Sequence, residues 1–166
     1  MIQSLRLLVI AVWASINPAL PHTHDAPQIA TAIATAVAQD SGNPPVFTSH
    51  AEDAAVMAYW AYRESSLRLH VTGDGGKSFG FLQIRSPAAH RDAITQARSW
   101  LYMLHQGKRM CTASEGAPGA IMWGGCALRV KRWTTADLAE GRLTRARELL
   151  MSVLETGGVR ASSSGS

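Results

Sequence analysis

The chain has 166 residues, 46% hydrophobic and 17% charged, with a formal net charge of +4. That composition excludes a disordered chain, and the length allows one domain with a real core rather than two large ones. The basic residues form no long run, so a pI near 9.5 fits a polyanionic partner such as a cell wall, or plain solubility, and does not single out nucleic acid.

In chain order, the first twenty residues read MIQSLRLLVIAVWASINPAL. Arg6 precedes an apolar stretch from Leu7 to Ile16, Val12 and Ala14 within it fit the small-residue positions before a cleavage point, and Pro18 ends the stretch. The pattern is that of an export signal, which would place the protein in the periplasm or outside the cell; the competing reading is a buried N-terminal helix. The segment is too short for a stable membrane span. A connector, PHTHD at 21–25, holds two histidines, but a lone His-x-His is a weak metal signal and no metal site is expected.

Residues 25–40 have the marks of a helix. Asp25 is placed to cap it, Pro27 suits the first turn, and Ile29, Ile33 and Val37 share one face. A second helix starts at Ser49, which has Glu52 at capping-box spacing. It is apolar on nearly every side after Asp53, the mark of a central helix, and Glu64 falls at its C-terminal end. From Leu67 to Ile84 the pattern is irregular, and Gly73, Gly75, Gly76 and Gly80 call for turns or a short hairpin. Ser86-Pro87 opens a third helix that Gly107 would stop. After a loop, APGAIMWGGCALRV reads as a short buried helix, and Thr134 to Glu155 as one or two more, interrupted near Gly141 and closed by Gly157. The expected organisation is an apolar or signal segment at 1–20, a mainly α domain at 25–156 with a small glycine-rich β element, and a flexible tail at 157–166.

The chemistry concentrates around that glycine-rich element. Gly76-Lys77-Ser78 imitates the end of a phosphate-binding loop, but Val71 stands where its first glycine belongs, and a helix rather than a strand precedes it. Nucleotide binding is therefore not expected. Cys111 and Cys126 lie fifteen residues apart. In an exported chain they are a disulfide candidate contributing about 3 kcal/mol; in a reducing compartment they are two thiols. Neither has a histidine in a nucleophile context, which argues against a Cys-His amidase.

That leaves Glu64. Burial on an apolar helix and the negative end of the helix dipole both favour the neutral acid, as cleavage of a glycosidic bond needs; the alternative is a surface glutamate paired with Arg63 or Arg68. Glu64-Ser65, then Gly73-Asp74, then Gly80-Phe81-Leu82-Gln83-Ile84 form an ordered set. This set resembles the catalytic region of soluble lytic transglycosylases and goose-type lysozymes, in which Glu-Ser ends a helix, a glycine-containing loop follows, and Gly-Leu-Met-Gln-Ile/Val lines the sugar cleft. The resemblance is close over about 25 residues. It implies a lysozyme-like α+β fold that cuts the MurNAc-GlcNAc bond of peptidoglycan without a cofactor. Glu64 would be the general acid/base, Gly80, Phe81, Leu82 and Gln83 the cleft wall, and Ser65 and Ser78 groups that bond the substrate or cap the backbone. Asp74 is either a second catalytic carboxylate or a turn aspartate. The chain departs from the pattern at Arg85, where goose-type enzymes carry an acid, and at Trp123-Gly124, where transglycosylases carry Tyr-Asn. Trp123, beside two glycines, is the tryptophan best placed to pack a sugar, while Trp60, Trp100 and Trp133 read more readily as core. The expected partner is a peptidoglycan glycan strand on which the protein acts as a monomer, with no nucleic acid or nucleotide. The competing reading is a lysozyme-like module that binds glycan, or scaffolds the wall, without cutting it.

Overall fold

The computed structural model describes residues 1–85, 92–110 and 133–162, with side chains described except at 107, 109–110, 133–140 and 157–162. Trp123, Cys111 and Cys126 and the short helix expected around them lie outside these residues, as does the side chain of Trp133. The described chain is mainly helical, with one small two-stranded sheet. Its helices are α1 (Ile2–Ile16), α2 (Ala26–Gln39), α3 (His50–Ser65), α4 (Ala93–Met110) and α5 (Trp133–Ser162).

Helix α3 is the axis of the domain. Every residue from Glu52 to Ala61 is buried, as an almost uniformly apolar run requires, because no face of it gains by meeting water. Helices α1, α2 and α5 all pack on it. The N-terminal segment, which the sequence leaves between a leader and a core helix, is seated in this core: Val9, Val12 and Trp13 are fully buried. The Trp13 indole Nε1–H donates to the Ala58 carbonyl at 2.9 Å. Among the described residues, no helix is long and apolar enough to cross a membrane.

Helix α2 forms where its periodicity puts it, with Ile29, Ile33 and Val37 in the core. The cap differs. Asp25 occupies the N-cap but makes no capping bond there; its Oδ2 instead accepts from the Leu69 amide at 2.9 Å, tying the exit of α3 to the start of α2. The Ser49 cap forms as expected, with its hydroxyl accepting from the Glu52 amide at 3.1 Å. The Glu52 carboxylate accepts from the Thr48 amide at 3.0 Å, one residue before the partner a standard capping box uses.

Three glycine signals overstate their power. Helix α4 runs past Gly107 to Met110. Helix α5 is continuous through Gly141 and Gly157. A glycine costs a helix interior about 1 kcal/mol relative to alanine, which packing along a long helix readily offsets. The Ser86-Pro87 start expected for the third helix lies outside the described residues. The described helix begins at Ala93, and Asp92 caps it by accepting from the Thr95 amide at 2.9 Å and the Thr95 hydroxyl at 2.7 Å.

Candidate active site around Glu64

Glu64 is the penultimate residue of α3. The helix ends because Ser66 and Leu67 both take left-handed backbone conformations, φ +52° and +61°, each costing on the order of 1 kcal/mol for a side chain with a Cβ. No glycine marks this stop, so the sequence does not announce it. It is held by Leu67, which is fully buried, and by Ser65. The Ser65 hydroxyl donates to the Ala61 carbonyl at 2.9 Å and accepts from the Arg68 amide at 3.2 Å. Ser65 is buried, and both its bonds serve the helix end.

The hairpin begins eight residues after Glu64. Strands β1 (Thr72–Gly73) and β2 (Ser78–Phe79) pair antiparallel, Thr72 with Phe79 and Gly73 with Ser78. Asp74, Gly75 and Gly76 turn the chain at φ +51°, +63° and +89°. Asp74 is exposed, and its Oδ2 accepts from the Ser78 hydroxyl at 2.7 Å and from Arg85 Nη2 at 2.9 Å. The Ser78 bond and then the Arg85 guanidinium hold this carboxyl below its ordinary value. The Arg85 that departs from the family pattern is thus the ion-pair partner of Asp74. Asp74 in this arrangement fastens the hairpin turn.

A second turn follows at Gly80–Gln83, bracketed by a bridge between Phe79 and Ile84. Gly80 and Gln83 have φ +76° and +49°. The Gln83 amide nitrogen donates to the carbonyls of Gly80 at 2.8 Å and Val71 at 3.1 Å, so it braces the turn from within. Gln96 of α4 braces it from behind. Fully buried, it accepts from the Phe81 amide at 3.0 Å, and a Cβ on Gly80 would stand 2.0 Å from its Oε1. Phe81 and Leu82 point into the core, so their side chains support the turn and any ligand contact falls to backbone. Sequence reasoning overlooked Gln96. Its signal was a lone amide among apolar neighbours on the inner face of α4.

The larger omission is Arg142. Its Nη1 donates to Glu64 Oε1 across 78 residues of sequence. The same guanidinium lies over the Trp60 ring, 4.6 Å from its centroid, a cation–π geometry. Trp60 also packs at 6.3 Å on Trp100, and both are buried. Neither Arg63 nor Arg68, the partners considered from sequence, holds Glu64. The side chains of Arg142 and Glu64 keep 12% and 18% of their surface exposed, so solvent still reaches the pair.

Elsewhere, a cleft of about 560 Å³ opens between α2 and α4, lined among others by Asp40, Arg98, Tyr102, His105 and Lys108. Neither Glu64, Asp74 nor the Gly80 turn lines it. Volume and carboxylate chemistry therefore point to different faces, and the chemistry is the better guide because a general acid is defined by its side chain. Among the described residues, no three His, Cys, Asp or Glu side chains gather in a way that could hold a metal ion.

No protein-family model matches the chain. No match to it was found among curated proteins or among solved structures.

Proposed function

We propose that this protein cleaves peptidoglycan glycan strands at the MurNAc-GlcNAc bond with Glu64 as its single general acid/base, on a lysozyme-like helical scaffold. One observation carries the reading. Glu64 ends the buried central helix with its carboxyl still reachable from solvent, and the chain then forms a hairpin and a rigid turn at Gly80–Gln83. In the reaction, the Glu64 carboxyl gives its proton to the bridging oxygen as the bond from that oxygen to the sugar's anomeric carbon breaks. The resulting carboxylate takes a proton from the attacking hydroxyl. If that is the sugar's own 6-hydroxyl, the product is a 1,6-anhydro sugar; if it is water, the product is hydrolytic. Asp74 already bonds Ser78 and Arg85, which favours the route that needs one carboxyl. The reaction as written uses side chains alone. Its substrate lies outside the cytoplasm, so the reading carries export with it, in a form that keeps α1 in the core.

A second reading, a module that binds glycan without cutting it, draws on the Arg142–Glu64 pair, because an acid whose Oε1 is engaged by a guanidinium cannot meet a glycosidic oxygen until that pair opens. Glu64→Gln decides between them. The variant keeps an acceptor for Arg142 and should fold, yet clear purified walls at least 100-fold more slowly than the unaltered protein. Equal clearing by both would remove Glu64 from the mechanism. Co-sedimentation of the unaltered protein with walls, and no soluble fragments, would establish the binding module. Mass spectrometry of released fragments separates the two products, since an anhydro sugar is lighter by one water.

A further inference from the structure

We infer that the cleft between α2 and α4 is a second binding site, built for a short extended peptide that carries a carboxylate toward each end. The inference stands apart from the glycan-cleaving reading, because neither Glu64 nor the Gly80 turn lines the cleft.

The cleft measures about 560 Å³, a volume usual for ligand pockets. One wall is a single face of α4, on which Arg98, Tyr102, His105 and Lys108 recur at helical spacing. Of the described α4 side chains that line it, Arg98 is the first and Lys108 the last, ten residues apart. That separation is about 15 Å at the rise of an α-helix. Both side chains are exposed cations, and both bond neutral oxygens. Arg98 Nε donates to Gln39 Oε1 at 3.0 Å, and Lys108 Nζ donates to the carbonyls of Pro45 and Val46 at 3.0 and 2.7 Å. Among the described residues, neither is paired with a carboxylate. Each keeps N–H groups in reserve, because a guanidinium and an ammonium both donate more bonds than these. The cleft therefore offers a positive charge at each end to an anionic ligand.

The charge between those ends selects the kind of anion. His105 stands there on α4, with its Nε2 2.7 Å from Asp40 Oδ2, and Asp40 Oδ1 accepts from Asn43 Nδ2 at 2.7 Å. A polymer charged at every unit would set an anion beside Asp40, which is unfavourable. A ligand with a neutral middle and anionic ends avoids that repulsion. An extended peptide advances about 3.3 Å per residue, so about five residues cover the distance. Its backbone amides need partners, and the lining supplies them: the Gln39 side-chain N–H groups, the Asn43 side-chain carbonyl and the Tyr102 hydroxyl are not used within the cleft. Tyr102 also leaves 62% of its surface exposed, an open aromatic face of the kind that binding surfaces favour.

The test is an NMR titration of the full chain at low salt with two blocked hexapeptides. One has glutamate at its first and sixth positions and alanine between them; the other has glutamine in place of both glutamates. The diacid should bind about tenfold or more tightly than the diamide, and only the diacid should move the side-chain amide signals of Gln39 and Asn43. Arg98→Gln and Lys108→Gln should each remove part of the preference, and the double variant all of it. Glutamine has nearly the helix propensity of arginine and lysine, so these exposed substitutions should fold. Equal binding of the two peptides, no binding of either at millimolar concentration, or a preference that survives the double variant overturns the inference. Tighter binding of a linear polyphosphate than of the diacid also overturns it, in favour of a continuous polyanion. If a variant loses its fold, the Gln39 and Asn43 signals of the unaltered protein decide the question. None of these results bears on Glu64, whose part in wall clearing is tested separately.

Discussion

The two ends of α3 carry the same kind of group to different effect. Near its N-terminus stand Glu52 and Asp53, and near its C-terminus stands Glu64. Glu52 and Glu64 both pair with an arginine of α5, Arg147 and Arg142, and the reversed order of the partners means that α5 runs opposite to α3. At the N-terminal end the carboxylates are built in. Glu52 is satisfied by Thr48 and Arg147, and Asp53 accepts the amides of Val46 and Phe47 at 3.2 and 3.0 Å. They also sit at the positive end of the helix dipole, which favours negative charge. At the C-terminal end Glu64 sits at the negative end, more open, on a backbone bent through two left-handed residues. The first arrangement has the features of a structural tie. The second leaves an acid partly open to solvent at a helix end held in unfavourable backbone conformations, which is how functional groups commonly sit.

This contrast can be broken in graded ways. The largest effect on stability is expected at the centre of α3, where Trp13 ties α1 to Ala58. Trp13→Ala should cost about 4 kcal/mol, read by denaturant unfolding, and a loss near zero would mean that α1 does not belong to the folded core. Next is Glu52→Ala, which leaves the Thr48 amide and Arg147 without their acceptor and should cost about 3 kcal/mol. Glu64→Gln, by contrast, should alter wall clearing far more than melting temperature; comparable destabilisation by the two substitutions would erase the distinction between the ends.

The pH dependence follows from the same residues. Burial works to raise the Glu52 carboxyl, but the Thr48 and Arg147 hydrogen bonds outweigh it and hold it below its ordinary value. A carboxyl lowered in the folded state contributes stability that is present above its unfolded value and is lost as pH falls through the folded one. Burial pushes the Asp53 carboxyl up, so its contribution has the opposite sign and weakens stability as pH rises through its folded value. Melting curves between about pH 3 and pH 7 should therefore fall on the acid side, and Glu52→Gln should flatten that fall. An unchanged acid limb would show that Glu52 is not the group responsible.

Smaller effects belong to the hairpin. Gly80→Ala forces a Cβ against Gln96 at a φ of +76° and should cost about 2 kcal/mol. Wall clearing in that variant should fall more than its melting temperature alone explains, if the turn lines the site. Asp74→Asn should be the mildest, since the side chain is exposed and an asparagine can still accept from Ser78 and suits a left-handed turn. A loss of clearing as large as that of Glu64→Gln would instead make Asp74 the second catalytic carboxylate.

The parts of this protein legible in its sequence are those set by near neighbours along the chain. The apolar run after Asp53 makes α3 a buried helix wherever it folds, Ser49 caps it, and Asp74 with the adjacent glycines turns the hairpin, because periodicity, capping and positive φ are local properties. Tertiary structure alone decided the rest. It seated α1 against α3, gave Asp25 to Leu69 in place of a helix cap, carried α5 through its glycines, put Gln96 behind the Gly80 turn, and brought Arg142 to Glu64. Each of these is a contact between distant segments. Its energy comes from removing surface and charge from water at one place in space, and no local pattern records which distant side chain will arrive there.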